Sequence, residues 1–315
     1  LCQQCAGEER LAAVYEGQTE TQSGVVVGHA IFKFTMIISR LWGGLGNQMF
    51  QYAAGRALAL RSGQSLKLDI YDLVDRSPWP DFVHRDCDLG LLMAPLDFAS
   101  LGDLGKAHEK PSSLLTRLGL RYRKEIFRRN TFKETNQQFL PELVDAQKRN
   151  AYLVGYWHDE RYFKDCKEVI ARDFAMRGDL SSDYAEPISG CESVCLNVRR
   201  TDFVNITAER EYRTECDEGY YRKAIDLLLE KHDEIQIFGF SDDVEWCEQN
   251  LKLQRPVTWI PHSQAGVKFA NYFWLMRQCK HFIIPNSTFA WWAAWLSENP
   301  EKMVVCPQHW YNDPE

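Results

Sequence analysis

Between residues 194 and 306 the sequence alternates short apolar runs with longer stretches of helical periodicity, and this alternation limits the fold more than any other feature. The apolar runs predict strands over 194–198, 235–240, 257–260, 281–285 and 303–306. The stretches between them predict helices over 218–232, 241–251, 266–279 and 289–297. Such alternation is typical of a parallel sheet with right-handed crossovers, so we expect an α/β domain. Ligands of these sheets bind beyond the carboxyl ends of the strands, and the loops there are the first candidates for chemistry.

The first half of the chain has a second, less regular α/β pattern. A predicted strand over 36–41 leads into a glycine-rich loop, a helix over about 47–61 and a strand over 65–70. A strand over 151–158 ends in aromatic residues, and a helix is predicted over 159–170. The polar stretch 178–191 is interpreted as a linker. We therefore expect an N-terminal domain over 36–180 and a C-terminal domain over 190–315.

Residues 1–35 do not share this pattern, because the stretch 16–23 is polar and lacks periodicity. The chain begins with Leu1, whereas Met36 opens the first predicted strand. We expect 1–35 to be a non-native or upstream extension and Met36 to be the natural first residue.

Charge and hydropathy narrow the class of partners and the location. The formal net charge is −7 and the pI is about 5.7, which argues against a nucleic-acid-binding protein. The 10 cysteines are scattered, and we interpret them as reduced thiols. No apolar run reaches the roughly 18 residues that a membrane span needs, so we expect a cytoplasmic protein. The basic stretch 115–129 is interpreted as a solvated helix face, with a peripheral contact at the inner membrane as the alternative.

Two adjacent arginines, Arg199 and Arg200, follow the apolar run 194–198 directly. Arginine forks onto phosphate oxygens better than any other side chain, so this strand end predicts an anion site. The alternative is an exposed pair that is solvated and bonded to nearby carboxylates.

Polar residues also follow two further predicted strands. Ser287 and Thr288, with the amides of their helix start, could donate to a diphosphate. Asp242 or Asp243 could accept the N–H donors of a guanine base. The alternative for both loops is ordinary helix capping.

The glycine loop between the first strand and its helix contains Gly43, Gly44 and Gly46, followed by Asn47. Glycines let a ligand approach the backbone, and bare N–H groups at a helix start attract anions. The loop lacks both the GxGxxG spacing and the Gly-Lys-Ser/Thr of a P-loop, which disfavours nicotinamide and ATP sites. The alternative is a tight turn that only allows close packing.

Tyr156 and Trp157 stand together at the end of the predicted strand 151–158. Adjacent aromatic rings there could form a wall on which a sugar stacks. Packing in the core is the alternative for both rings.

These stretches together resemble glycosyltransferase family 11, the α-1,2-fucosyltransferases that use GDP-fucose. The resemblance runs from Met36 to the C-terminus, and its segments follow in the family's order. It rests on the segments 43–53, 155–157, 198–202, 240–243 and 286–296. The last of these, NSTFAWWAAWL, is the strongest, whereas the arginine segment is shared with α-1,6-fucosyltransferases and protein O-fucosyltransferases.

The resemblance implies a GT-B-like fold, with two Rossmann-like α/β domains that face a cleft. The N-terminal domain would bind the acceptor and the C-terminal domain the GDP-sugar. The implied reaction is an inverting transfer of L-fucose from GDP-β-L-fucose to the 2-hydroxyl of a terminal galactose, in bacterial surface-glycan biosynthesis. The acceptor would be a galactose-terminated oligosaccharide or lipid-linked glycan, and no metal or other cofactor is expected.

The resemblance also implies roles for individual residues. Arg199 and Arg200 would stabilise the charge that grows on GDP, and Asp202 would hold them or act on a hydroxyl. The base that direct displacement requires would be Asp202, Glu209, Glu211 or His158. Donor binding is expected from Gly43, Gly44, Gly46, Asn47, Ser241, Asp242, Asp243, Asn286, Ser287 and Thr288. Acceptor binding is expected from Tyr156, Trp157 and His158.

The sequence departs from the family in two places. Asn197 stands where the arginine motif usually begins with His, and the family's pattern usually continues past the region of Trp310. Two other functions therefore stay open. The first is a transferase of the same fold with another nucleotide sugar or acceptor linkage, and the second is an inactive carbohydrate-binding protein.

Overall fold

The structure, a computed structural model, describes residues 36–75, 85–104, 130–135, 138–145, 150–200 and 216–310. The chain forms two compact units that divide between Ala175 and Met176, called unit 1 and unit 2 below. The predicted extension 1–35 and the basic stretch 115–129 lie outside the described residues.

Unit 1 is built on a four-stranded sheet in the order β2-β1-β4-β3, and every pairing is parallel. Its strands are β1 (Met36–Arg40), β2 (Ser65–Asp69), β3 (Thr131–Lys133) and β4 (Tyr152–Val154). Its α-helices are α1 (Leu45–Ser62), α2 (Tyr71–Val74), α3 (Leu101–Leu104), α4 (Pro141–Val144) and α5 (Lys167–Asp173). Short 3₁₀ helices cover Asp88–Leu91, Glu160–Tyr162 and Lys164–Cys166. Because β4 lies beside β1 on the side away from β2, the strand order reverses between β1 and β4.

Helix α1 is the main helix against this sheet, and its small residues explain how closely it packs. A Cβ on Gly55 would lie 2.8 Å from the Leu66 side chain and 3.0 Å from that of Ser39, so only a residue without a side chain allows this approach. The helix ends where Gly63 adopts a left-handed conformation, with φ of 64°, and its N–H closes the last turn. It begins two residues before the predicted start, because Gly44 already has the extended geometry of an N-cap.

Unit 2 contains a five-stranded parallel sheet in the order β7-β6-β5-β8-β9, which confirms the α/β prediction. Its strands are β5 (Ser193–Val198), β6 (Gln236–Ser241), β7 (Val257–Trp259), β8 (His281–Ile283) and β9 (Val304–Val305). Its α-helices are α6 (Ala185–Ser189), α7 (Glu218–Leu229), α8 (Val244–Asn250), α9 (Ala270–Gln278) and α10 (Thr288–Leu296). Short 3₁₀ helices cover His262–Gln264 and Val267–Phe269. Successive strands are added on one side of β5 and then on the other, so the order reverses between β5 and β8, where doubly wound sheets bind ligands.

All residues of β5 are buried, which places this strand at the centre of unit 2. Val194 and Leu196 pack in one cluster with Ile225 of α7 and Ile283 of β8. A buried central strand of this kind reads as a continuous apolar run, and this is why the sequence identified it.

Two predicted helices begin later than expected. In place of a helix over 159–170, the chain forms two 3₁₀ helices before α5, because Phe163 has φ of −145° and leaves the helical path. In place of a helix that begins at Gly266, a turn with positive φ at Gly266, Lys268 and Phe269 precedes α9. The predicted linker contains α6.

Two further properties concern the described residues only. None of the described helices combines the length and the apolar character that crossing a bilayer requires. The described cysteines are free thiols: Cys87, Cys166, Cys191, Cys195, Cys216, Cys247, Cys279 and Cys306.

Candidate functional site

In unit 2, the arginine pair leaves the carboxyl end of β5 and is held by a carboxylate from the neighbouring strand. Asp242 follows β6, and its Oδ2 lies 3.0 Å from a terminal nitrogen of Arg199. The other oxygen, Oδ1, accepts the backbone N–H of Arg200 at 2.9 Å. The side chain of Asp242 is 6% exposed, whereas that of Arg199 is 28% exposed, so a largely buried charge fixes a partly accessible one. Screening by water is weak at such a site, and the pairing orients the loop strongly.

Arg200 is held differently, through an aromatic ring. Its guanidinium carbon lies 3.3 Å from the centroid of the Trp246 ring. Its Nε lies 3.6 Å from Oδ2 of Asp243, which is an ionic contact beyond hydrogen-bonding distance. Asp243 also caps α8, since its Oδ1 accepts the backbone N–H of Trp246 at 3.2 Å.

The predicted contact of Asp242 or Asp243 with guanine stays a prediction. In the structure Asp242 serves the arginine pair and Asp243 caps a helix, as the alternative interpretation of this loop expected. Ser241 completes the turn, because its Oγ accepts the N–H of Asp243 at 3.0 Å. The loop after β6 is thus a support for Arg199 and Arg200.

The loop after β8 lies on the other side of the point where the strand order of unit 2 reverses. Asn286 is buried, and its Nδ2 donates to the backbone oxygen of Trp310 at 2.8 Å. Ser287 caps α10 by accepting the N–H of Ala290 at 3.4 Å, and Thr288 is the first residue of that helix. The capping alternative therefore describes Ser287, while the loop occupies the strand end at which a diphosphate was predicted to bind.

Asn197, where the family usually has His, is a buried residue of the sheet. Its Nδ2 donates to the backbone oxygen of Phe240 at 3.2 Å, and its own backbone oxygen accepts the hydroxyl of Tyr221 at 3.3 Å. The side chain thus links β5 to β6 just before the arginine pair.

In unit 1, the glycine loop joins β1 to α1 and depends on the conformational freedom of one residue. Gly43 has φ of 78°, and a Cβ on it would lie 2.7 Å from Nδ2 of Asn47. Gly44 is the N-cap of α1 and provides no capping side chain, while Gly46 is buried within the first turn. The start of α1 therefore offers backbone N–H groups of the kind that bind anions.

Two buried glutamines hold this loop in place. Gln48 donates to the backbone oxygens of Gly43 and Asp86, each at 2.8 Å, and accepts the N–H of Asp88 at 2.9 Å. Gln51 accepts the backbone N–H of Trp42 at 3.0 Å. The Gln48 side chain is satisfied by main-chain groups, whereas Gln51 binds the main chain through its oxygen and its Nε2 has no partner among the described residues. Both side chains thus hold the path of the loop.

The aromatic turn after β4 meets the glycine loop within unit 1. His158 Nε2 lies 3.3 Å from Oδ1 of Asn47, and the His158 ring stacks on Tyr156 at a centroid distance of 5.0 Å. Tyr156 also contacts Trp42 at 5.2 Å. Residues that the sequence assigned separately to donor and acceptor binding therefore form one cluster.

The position of Trp157 shows that this residue does not belong to the predicted sugar-stacking wall. Its side chain is fully buried and packs edge-on against Tyr162 at a centroid distance of 5.4 Å. Its backbone has φ of 61°, which turns consecutive side chains in different directions. Core packing thus describes Trp157, and only Tyr156 of the aromatic pair is partly exposed.

Glu134 supports this turn, and no motif or pattern around it predicts this role. Its carboxylate accepts the backbone N–H of Tyr156 at 2.7 Å and that of Trp157 at 3.1 Å. A Cβ on Gly155 would lie 2.5 Å from Cβ of Glu134, which explains the glycine. Burial raises the pKa of the Glu134 carboxyl, although the two N–H groups oppose this shift.

Four residues were predicted as candidates for the catalytic base, and the structure does not describe three of them. Asp202, Glu209 and Glu211 lie outside the described residues. His158 is described, and because an amide oxygen only accepts hydrogen bonds, its contact with Asn47 places a proton on Nε2. This arrangement favours a role for His158 in orienting Asn47.

One group of potential metal ligands forms among the described residues, at the end of the unit 2 sheet where β5 and β8 begin. Glu192 Oε1 lies 2.6 Å from His281 Nε2 and 3.7 Å from His232 Nδ1. The backbone N–H of Met303 donates to His281 Nδ1 at 3.1 Å, so Nε2 carries the ring proton and donates it to Glu192. Lys280 adds a positive charge 3.0 Å from Oε2 of Glu192. This group is therefore a hydrogen-bonded cluster in which both ring nitrogens of His281 are already engaged.

Comparison with known proteins assigns the chain to a family. Residues 122–315 match the family described as Glycosyl transferase family 11. The alpha-1,2-colitosyltransferase of Escherichia coli is 28% identical over 289 residues, which covers 89% of this chain and 94% of that protein. The O-antigen biosynthesis glycosyltransferase WbnK of Escherichia coli is 30% identical over 292 residues, which covers 87% of this chain and 94% of that protein. Human galactoside alpha-(1,2)-fucosyltransferase 1 is 27% identical over 167 residues, which covers 50% of this chain and 46% of that protein.

The family match includes all of unit 2 and the aromatic turn of unit 1. It spans more than half of the 315 residues, and the two bacterial relatives extend the likeness over most of the rest. The chain belongs to glycosyl transferase family 11 and is a glycosyltransferase.

Proposed function

We propose that this protein transfers L-fucose from GDP-β-L-fucose to the 2-hydroxyl of a terminal galactose, with inversion at the anomeric carbon. The observation that carries the proposal is the arginine pair at the carboxyl end of β5. Asp242 holds Arg199 there through an ionic contact of 3.0 Å. The names of the relatives support the linkage, since they include an alpha-1,2-colitosyltransferase and a galactoside alpha-(1,2)-fucosyltransferase.

The chemistry of the arginine pair suits a departing diphosphate. Negative charge grows on GDP as the bond to the sugar breaks, and groups already aimed at that charge lower the barrier. Arg199 and Arg200 supply two guanidinium groups, and the start of α10 beside Thr288 supplies backbone N–H donors. We propose that these charges make a metal ion unnecessary.

We also propose that the fold is GT-B-like. In this proposal unit 2 binds the nucleotide sugar, and Tyr156 and His158 of unit 1 bind the acceptor. Direct displacement then requires a base near the acceptor hydroxyl, and Asp202, Glu209 and Glu211 are the carboxylates proposed for it.

A second candidate differs only in the donor sugar. One of the two bacterial relatives is named a colitosyltransferase, and colitose is L-fucose without its 3-hydroxyl. Initial rates with GDP-fucose and GDP-colitose at equal concentration would separate the two donors. A preference of tenfold or more for GDP-colitose would replace fucose in the proposal and leave the α-1,2 linkage unchanged.

The acceptor proposed is a galactose-terminated oligosaccharide or lipid-linked glycan. The name of the O-antigen glycosyltransferase supports a surface glycan as its source. The enzyme would meet a lipid-linked acceptor on the cytoplasmic side of the membrane, through a peripheral contact. Vesicle sedimentation with and without such a lipid would test that contact.

Calorimetric titration with GDP and GDP-fucose in EDTA, with UDP as the control, tests the donor site. We expect binding of GDP in the micromolar range without metal and none of UDP. Arg199→Ala should still fold, with a lower melting temperature because Asp242 loses its ionic partner, and should reduce transfer by about two orders of magnitude or more. Absence of GDP binding, or near-normal turnover of the variant, would overturn the assignment.

A further inference from the structure

Trp246 has no part in the function proposed above, yet its ring lies against one of the two arginines. The guanidinium carbon of Arg200 is 3.3 Å from the ring centroid, far inside the roughly 6 Å within which a cation and an aromatic face attract each other. At this separation the flat guanidinium group and the indole face are in van der Waals contact.

The ring itself is held from two sides. Trp246 packs against the hydrophobic cluster of unit 2 that includes Leu196 and Ile237. Its backbone N–H lies in the first turn of α8 and is capped by Asp243 at 3.2 Å. The surface on which Arg200 rests is therefore attached to the core of the unit.

Hydrogen bonds within the described residues do not account for the orientation of Arg200. Its Nε is buried and has no hydrogen-bond partner among them, and the nearest carboxylate oxygen is that of Asp243 at 3.6 Å. Arg199, in contrast, pairs with Asp242 at 3.0 Å. The indole is thus the main contact that sets the plane of the Arg200 side chain.

We propose that Trp246 is a positioning residue, which holds the Arg200 guanidinium flat so that its edge N–H groups face the departing diphosphate. This inference rests on the proposed function. A planar guanidinium can stack through its face and donate through its edge at the same time, which a compact ammonium cannot do. The ring therefore also explains why this position requires arginine.

A double-mutant cycle tests the proposal, with Trp246→Leu, Arg200→Lys and the double variant. Leucine keeps apolar volume against the core and removes the aromatic face, and Trp246→Phe keeps a smaller face as the rescue variant. The readouts are Kd for GDP by calorimetry, together with kcat and KM for GDP-fucose. Trp259→Phe is the matched control, because Trp259 packs against the same cluster from β7.

We expect Trp246→Leu to lower kcat/KM for GDP-fucose by about tenfold and Trp246→Phe by less than threefold. In the Arg200→Lys background, Trp246→Leu should cost less than twofold. Equal losses in both backgrounds would overturn the proposal, because they would mean that Trp246 supports the fold in general. If the wild-type protein binds no GDP, the proposed function fails first, which is a different outcome from an additive cycle.

Discussion

Units 1 and 2 each have a loop after a central strand of the sheet, and the two loops differ in the residues that form them. In each sheet the strand order reverses beside a central strand, β1 in unit 1 and β5 in unit 2, and a loop that is predicted to bind anions follows that strand. The loop after β1 is rich in glycine and leads into the start of α1. The loop after β5 begins with two arginines, which carry full charges.

The difference lies in what each loop requires from its surroundings. The glycine loop needs space, since Gly43 has φ of 78° and any Cβ there meets Asn47. The arginine loop needs partners, and among the described residues Asp242, Asp243 and the Trp246 ring contact its two positive charges. An added methyl group should therefore harm the glycine loop most, whereas a change that keeps the shape of a partner and removes its charge should harm the arginine loop most.

The largest effect is expected from Asp242→Asn. The substitution keeps the shape and removes the charge that fixes Arg199, so kcat/KM for the donor should fall by about 100-fold and the free energy of unfolding by about 2 kcal/mol. Asp243→Asn is the control, because that side chain is 38% exposed and mainly caps α8. We expect it to cost less than about 0.5 kcal/mol of stability, because asparagine caps helices as well as aspartate does, and less than tenfold in activity. Equal effects of the two variants would show that Asp242 has no special relation to the arginines.

The next effect, in unit 1, is expected from Gly43→Ala. A left-handed alanine and its contact with Asn47 should lower the free energy of unfolding by about 1–2 kcal/mol, measured by urea unfolding. Gly44→Ala is the matched control, since Gly44 has φ of −77° and a Cβ there meets nothing within 4 Å. A stability loss of Gly44→Ala as large as that of Gly43→Ala would contradict the steric account.

A smaller and more selective effect is expected from Glu134→Gln. Both N–H groups contact Oε2 of the carboxylate, and that of Trp157 also contacts Oε1 at 3.2 Å. The amide has no negative charge and replaces one of the two acceptor oxygens with an NH2 donor, so the turn of Tyr156 and Trp157 should loosen. We predict a rise of about fivefold in the acceptor KM with an unchanged Kd for GDP. Glu142→Gln, at an exposed position, is the control. A change in GDP affinity would show that the turn does not belong to the acceptor side.

The smallest effect is expected from Glu192→Gln, at the end of the unit 2 sheet opposite the arginines. Hydrogen bonds from His281 and Lys280 lower the pKa of Glu192 below its usual 4.5. A carboxylate with a lowered folded-state pKa adds stability above its unfolded pKa, and this stability is lost as pH falls through the folded value. Wild type should therefore melt a few degrees above the variant at pH 7, and the gap should narrow below about pH 4.5. A gap that does not change with pH would contradict the ionic contribution.

The sequence predicts the secondary structure of this protein best where a single physical effect determines the local conformation. Strand β5 was predicted over 194–198 and runs over Ser193–Val198, because a fully buried strand leaves a continuous apolar run. Helix α9 was predicted from Gly266, but Lys268 and Phe269 adopt positive φ, a local conformation that no periodicity announces. Glycine at 266 was the available signal, and it marked the turn that precedes the helix.

The residues of the candidate site were likewise predictable only where a single effect determines their position. The arginine pair was visible in the sequence, but the division of work between Asp242 and Asp243 was not, because adjacent carboxylates turn to different partners after β6. Trp157 was visible as an aromatic residue, yet its burial depends on a φ of 61°. Glu134 acts on main-chain groups 22 residues away, and such contacts leave no pattern of side chains to recognise.

Gln48 has a consequence for how this loop can change over evolution. Its amide binds only main-chain atoms, the oxygens of Gly43 and Asp86 and the N–H of Asp88. The contacts of Gln48 therefore do not depend on which side chains stand at 86 and 88, whereas one inserted or deleted residue would shift both backbone partners at once. Descendants of this sequence should accept almost no change of chain length around residue 87.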